Sequence, residues 1–138
     1  MTKYLNLKEI LRLHFQVIED FGGSHGIRNE ERLASLVLAA KQEVFGVEQY
    51  PDVFQKAAVY MRNLIGDHPF VDGNKRTAVT VAGIFLSRNS YRLTASPKEL
   101  EALAVNIAVK KLEITEIAAW LQKHTKKIRV YLPCWYKN

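Results

Sequence analysis

Along most of this chain apolar residues recur every three or four positions, the spacing that puts them on one face of a helix. Leu7, Ile10, Leu11, His14, Val17, Ile18 and Phe21 form the first such stripe. It starts behind Asn6-Leu7-Lys8-Glu9, an N-cap and a glutamate in the order of a capping box. Gly22-Gly23-Ser24-His25-Gly26 ends that helix in a flexible loop. Asn29 caps a second helix, with Leu33, Leu36, Val37 and Ala40 facing inward. Pro51-Asp52 opens a third, whose inward residues are Val53, Phe54, Ala57, Ala58, Tyr60, Met61, Leu64 and Ile65; Gly66 closes it. Ser96-Pro97-Lys98-Glu99 joins a serine N-cap, a proline at the first helical position and a glutamate at the third. The helix behind it buries Leu100, Leu103, Ala104, Ile107 and Ala108. A last helix starts near Thr115, carries Ile117, Ala118, Trp120 and Leu121, and runs to about His124.

Three stretches depart from the pattern. Thr77 to Leu86 is apolar or small nearly all round, as a central helix enclosed by others should be, and Asn89 supplies its stop. Between Lys41 and Tyr50 the helical period fades: Val44, Phe45 and Val47 favour strand and Gly46 favours a turn, which predicts a short hairpin or extended loop. Tyr91 to Thr94 reads as a short extended connection. After residue 125 the chain turns basic and aromatic. The expectation is an all-α protein: one compact bundle of about six helices over residues 1–125, with a C-terminal tail at 126–138.

Composition adds bounds rather than detail. A chain of 138 residues with 48% hydrophobic and 25% charged content fits one globular domain. Its single cysteine, Cys134, excludes an intrachain disulfide and a thiolate zinc cluster, which fits a cytoplasmic location. No apolar run approaches the ~20 residues of a membrane span, and Met1 to Asn6 lacks a signal-peptide core. The net charge of +6 is spread along the chain, with local density only in the tail at Lys126, Lys127, Arg129 and Lys137. Without a clustered basic face nucleic-acid binding is not expected, and an acidic partner or a phosphorylated substrate explains the charge equally well.

The chemistry concentrates in His68-Pro69-Phe70-Val71-Asp72-Gly73-Asn74-Lys75-Arg76, directly before the enclosed helix. The free amides of Asn74, Lys75 and Arg76 would be first-turn donors aimed at an anion, and Gly73 would let a ligand come close to the backbone. Lys75 offers a point charge and Arg76 a planar fork to phosphate oxygens, while Asp72 is placed to hold Mg2+ against them. His68 is a natural base for a hydroxyl nucleophile. Cations at a helix N-terminus oppose its dipole, a local cost that a bound anion would offset.

These nine residues closely resemble the signature of the Fic/Doc family, H-x-F-x-[D/E/N]-[G/A]-N-[G/K]-R. The likeness extends from about Leu5 to His124, through Gly26-Ile27-Arg28, Tyr50-Pro51-Asp52 and Thr77 to Asn89, and is nearest to the Doc (death-on-curing) toxin branch. The resemblance implies an all-helical Fic fold with a hairpin flap that clamps the target peptide, mapped to about 41–50. It implies ATP and Mg2+ as cofactors, His68 as general base, Asp72 as the metal ligand, Gly73, Asn74, Lys75 and Arg76 as phosphate-binding positions, and Phe70 as core anchor. Nucleotidylylating members carry glycine where this chain has Lys75, and commonly a second arginine where it has Val79. Both departures imply a kinase-like transfer of the ATP γ-phosphoryl group to a Ser/Thr hydroxyl of a target protein, and the resemblance implies a target of the translation-factor class. Gly73, shared with nucleotidylylating members, points the other way, to AMP transfer; a catalytically silent antitoxin-binding module is the further alternative. No Ser/Thr-x-x-x-Glu inhibitory motif is placed to reach the site, Glu101 and Glu113 being poor candidates, so the resemblance implies inhibition by a separate, acidic cognate antitoxin. His14 is expected to be a satisfied core histidine, Arg62 a surface cation or a phosphate aid, and His25 a solvated loop residue.

Overall fold

A computed structural model describes residues 1–128. Six helices form in chain order: α1 (Leu7–Phe21), α2 (Glu30–Leu38), α3 (Val53–Gly66), α4 (Asn74–Arg88), α5 (Pro97–Lys110) and α6 (Ile114–Lys123). Two small antiparallel pairs complete it, β1 (Glu43–Val44) with β2 (Val47–Glu48), and β3 (Tyr91–Leu93) with β4 (Thr125–Lys127). The architecture is the compact all-α bundle with a short hairpin that the pattern predicted.

Local chemistry sets the helix starts. Both capping boxes form: Asn6 with Glu9 at α1, and Ser96 with Glu99 at α5. Asn29 and Asp52 accept from the third amide of α2 and α3, at Arg32 and Gln55. Each such cap contributes about 1 kcal/mol. α3 and α4 pack most closely and form the centre. Ala78, Val81, Ala82, Phe85 and Leu86 of α4 are sealed against Ala57, Ala58, Met61, Leu64 and Ile65 of α3, with α1, α5 and α6 around them. Small residues on both helices allow this approach, and Phe70 of the link between them is buried in the same core.

Two features were not legible in the sequence. Lys56, 1% exposed in the first turns of α3, donates to the Glu48 carboxylate at 3.0 Å and to the Ala40 carbonyl at 3.3 Å. Its ammonium also lies 5.4 Å from the centre of the Tyr4 ring. These partners hold its pKa above the ordinary lysine value although burial alone would depress it. The hairpin is thereby tied to the start of α3. Ten residues at ~1.5 Å each put Lys56 roughly 15 Å from Gly66, at the opposite end of the helix from His68. The hairpin thus forms where expected, anchored at the N-terminal end of α3. Second, the tail boundary at residue 125 falls inside β4, whose Thr125, Lys126 and Lys127 pair with Leu93, Arg92 and Tyr91. Arg129 and the aromatic residues Tyr131, Trp135 and Tyr136 lie outside the described residues.

Candidate functional site

Helix α3 stops at Gly66, and α4 starts behind Gly73, which sits in the left-handed region at φ 77°. A Cβ on Gly73 would come 2.9 Å from Ile18 Cδ1 and 3.6 Å from Val17 Cγ1. Gly73 therefore lets the backbone approach α1 at a strained angle. The lack of a side chain at Gly73 thus serves the packing against α1.

Three fasteners hold the intervening loop. Phe70 is fully buried, its ring stacked on the His14 imidazole at 3.7 Å and 5°. Asn74 accepts the Phe70 N–H and donates to the Phe70 carbonyl, both at 3.0 Å. On the other side the segment after α1 runs antiparallel to the loop: Arg28 N–H donates to Pro69 O at 2.7 Å and Val71 N–H to Gly26 O at 3.0 Å. This makes a bridge between Ile27 and Phe70. The glycine-rich segment that reads as a flexible loop is a rail for the site.

That rail also sets Asp72. Ser24 N–H donates to Asp72 Oδ2 at 3.2 Å, Gly73 N–H to Oδ1 at 2.9 Å, and His14 Nε2–H to the Asp72 carbonyl at 2.8 Å. A Cβ on Gly23 would lie 2.7 Å from Asp72 Oδ2, so the close approach needs glycine there. The exposed carboxylate keeps free lone pairs on both oxygens. The described residues contain no group of three or more His, Cys, Asp or Glu that could hold a metal. One oriented carboxylate beside phosphate-binding groups fits magnesium, which is commonly held by one or two carboxylates and substrate phosphates.

The amides of Asn74, Lys75 and Arg76 have no acceptor among the described residues, as expected of an open helix N-terminus. Lys75 and Arg76 are exposed and have no acidic partner among the described residues. The Arg76 guanidinium sits 3.8 Å from the centre of the Phe21 ring. This explains why Phe21, on the apolar stripe of α1, stays exposed: it is a platform for a cation. Lys75 and Val79, one turn apart, line a groove of about 510 Å³ with Arg76, Leu100 and Glu101. The Asn74 side chain is spent on Phe70, which leaves only its backbone amide to face an anion.

His68 stands exposed at φ 45°, a backbone region that costs a non-glycine residue about 1–2 kcal/mol. It borders a second cavity, of about 390 Å³, together with Arg62 and Lys111. The base on the loop and the two cations in the first turn of α4 thus line different recesses.

His14 is the core histidine expected, 4% exposed, yet its partner is the Asp72 carbonyl. A polar residue at a buried position of an apolar stripe was the signal that a polar partner had to exist. Burial is the main cause that holds its pKa below the ordinary histidine value, against the opposing hydrogen bond to Asp72. The folded protein therefore binds this proton less readily than the unfolded chain. Its contribution to stability is complete above pH ~6.5 and is lost as pH falls from there through the depressed folded value. Urea denaturation between pH 7.5 and 5 should show that decline. In His14→Gln, which keeps an amide donor, the slope should flatten; an unchanged slope would assign it to other groups. His25 is half-exposed, paired with Glu19 at 2.9 Å and stacked on Phe15 at 4.8 Å.

Comparison with known proteins agrees with this geometry. A family model described as the Fic/DOC family matches residues 4–86, from the start of the bundle through the loop into α4. The chain is 34% identical over 123 residues to a protein named toxin Doc from Mycolicibacterium smegmatis, covering 88% of this chain and 92% of that one. It is 31% identical over 121 residues to a protein named protein kinase doc from Escherichia phage P1, covering 88% and 94%. A left-handed histidine, an oriented aspartate and an open helix N-terminus in one clasped loop, within a match of this extent, place the chain in the Fic/Doc family.

Proposed function

We propose that this protein is the toxin of a toxin–antitoxin pair and transfers the γ-phosphoryl group of ATP to a Ser/Thr hydroxyl of a target protein. The observation that carries the reading is the loop itself. Between residues 68 and 76 stand an exposed histidine, a carboxylate with open lone pairs, and three amides and two cations that have no acceptor or acidic partner among the described residues, on a backbone clasped to the core at Phe70. The cations oppose the α4 dipole and are easiest to account for as partners of a polyanion.

In this reading the α4 amides, Lys75 and Arg76 hold the phosphates, and Asp72 holds magnesium, which neutralises phosphate charge when bound. His68 accepts the hydroxyl proton of the target. The target oxygen then bonds to the γ-phosphorus while the bond from that phosphorus to the β–γ bridging oxygen breaks, releasing ADP. Lys75 and Val79 on one face of the groove favour γ- over α-transfer, since a lysine fills the space that glycine leaves in nucleotidylylating members and no second arginine stands one turn on. The name of the phage relative agrees. Gly73, the feature that pointed to AMP transfer, is accounted for by its contact with α1.

The sequence resemblance suggests a translation factor as target and an acidic antitoxin as inhibitor, which the net charge of +6 would attract. Among the described residues no helix is long and apolar enough to cross a membrane, in keeping with action in the cytoplasm. The test is to incubate the protein with a cell extract and ATP labelled at either the γ- or the α-phosphate. Label should pass to protein only from the γ-position, and not from His68→Ala. Label arriving from the α-position would replace the kinase reading with AMP transfer.

A further inference from the structure

The cavity beside His68 belongs to no part of the phosphate site. It lies between the ends of α3 and α5 and holds about 390 Å³. Ile65, Ile107, Ala108 and Leu112 supply its apolar lining, and Arg62, Lys111 and Arg32 its cations. Arg32 is paired with Asp67 at 3.2 Å. Arg62 and Lys111 have no acidic partner among the described residues. Lys111 is held in the left-handed region at φ 51°, as the cap of α5. A cation suits a helix C-terminus, so the dipole explains the sign of Lys111. It does not explain a recess with an apolar floor, a second unpaired cation from another helix and the base at its border.

We infer that this cavity receives an acidic side chain adjacent to the hydroxyl that is modified, with Arg62 and Lys111 as the specificity-determining residues. The inference rests on the reading of His68 as the base for a protein hydroxyl. A hydroxyl within reach of His68 brings its neighbouring residues to the cavity border. An apolar floor accommodates the methylene stem of Asp or Glu, and two unpaired cations meet its carboxylate. Among the described residues the recess holds no acidic side chain other than Asp67, which Arg32 already neutralises. A basic or neutral flanking residue would leave both cations facing solvent without gain, so the selection is for charge.

Two measurements test this. In the first, NMR follows the Arg62 side-chain N–H and the His68 ring during titration with acetyl-Glu-Glu-amide, with acetyl-Gln-Gln-amide as control. The acidic probe should shift both in a saturable way and the neutral one should not; equal shifts, or none, would overturn the inference. This experiment needs no ATP, so it stands whether or not transfer occurs. In the second, Arg62→Glu combined with Lys111→Glu should raise KM for the labelled target more than tenfold with kcat and ATP affinity near wild type. Labelling of the same target at wild-type KM would also overturn the inference. If the wild-type protein labels nothing, the transfer reading fails while the first experiment still reports on the cavity.

Discussion

Replacing His68 with alanine is expected to lower phosphoryl transfer to the target by roughly 10²–10⁴-fold, the range that a positioned general base contributes. The fold should not notice. The side chain is exposed, and no hydrogen bond to it forms among the described residues. The backbone at φ 45° is strained for alanine as it is for histidine, so the variant neither relieves nor adds much cost. Thermal midpoint and Mg-ATP affinity by calorimetry should both stay near wild type, because the phosphate-holding groups sit on α4 and in Asp72. A variant that lost ATP binding would show that His68 holds the nucleotide instead of taking a proton. Full activity would remove it from the chemistry altogether. His68→Asn sharpens the result: it tolerates the left-handed backbone better than alanine but cannot accept a proton at neutral pH.

What the sequence disclosed, it disclosed through local rules. Capping boxes at Asn6 and Ser96, the caps at Asn29 and Asp52, and the enclosed character of Thr77 to Leu86 depend on residues a few positions apart, and each formed as read. The nine-residue run was legible for the same reason, being contiguous. What stayed hidden depends on pairs far apart in the chain. His14 and Asp72, 58 positions apart, meet only because α1 crosses the start of α4. Ser24 and Asp72 are 48 apart, and the bridge from Ile27 to Phe70 turned an apparently flexible glycine segment into a support. Lys56 showed nothing in sequence to mark it as buried, since its partners arrive through a hairpin whose packing has no local signature. The packing of Gly73 against Ile18 and Val17 stayed hidden too, because a single chain does not reveal which neighbour occupies the missing side chain's place.

Asn74 offers the largest expected effect on stability. In the antiparallel bridge the hydrogen bonds run through the residues flanking Phe70, from Arg28 N–H to Pro69 O and from Val71 N–H to Gly26 O. The N–H and carbonyl of Phe70 itself therefore face away from the rail, into the core. The Asn74 side-chain amide satisfies both at 3.0 Å, standing where another strand would. Asn74→Leu, similar in size and unable to do either, leaves a buried donor and a buried acceptor alone. At ~1–3 kcal/mol for each orphaned group the cost should be about 2–5 kcal/mol, a large part of the ~5–15 kcal/mol that holds a domain together. The thermal midpoint should fall by roughly 10–15 °C. Asn74→Asp retains the acceptor for Phe70 N–H but loses the donor to its carbonyl, so it should fall between the wild type and the leucine variant. Because the same clasp fixes the loop between His68 and Asp72, transfer should drop in all surviving Asn74 variants even at temperatures where they are folded. A leucine variant with wild-type midpoint and wild-type transfer would mean that the rail and the His14–Phe70 stack hold the loop without the clasp.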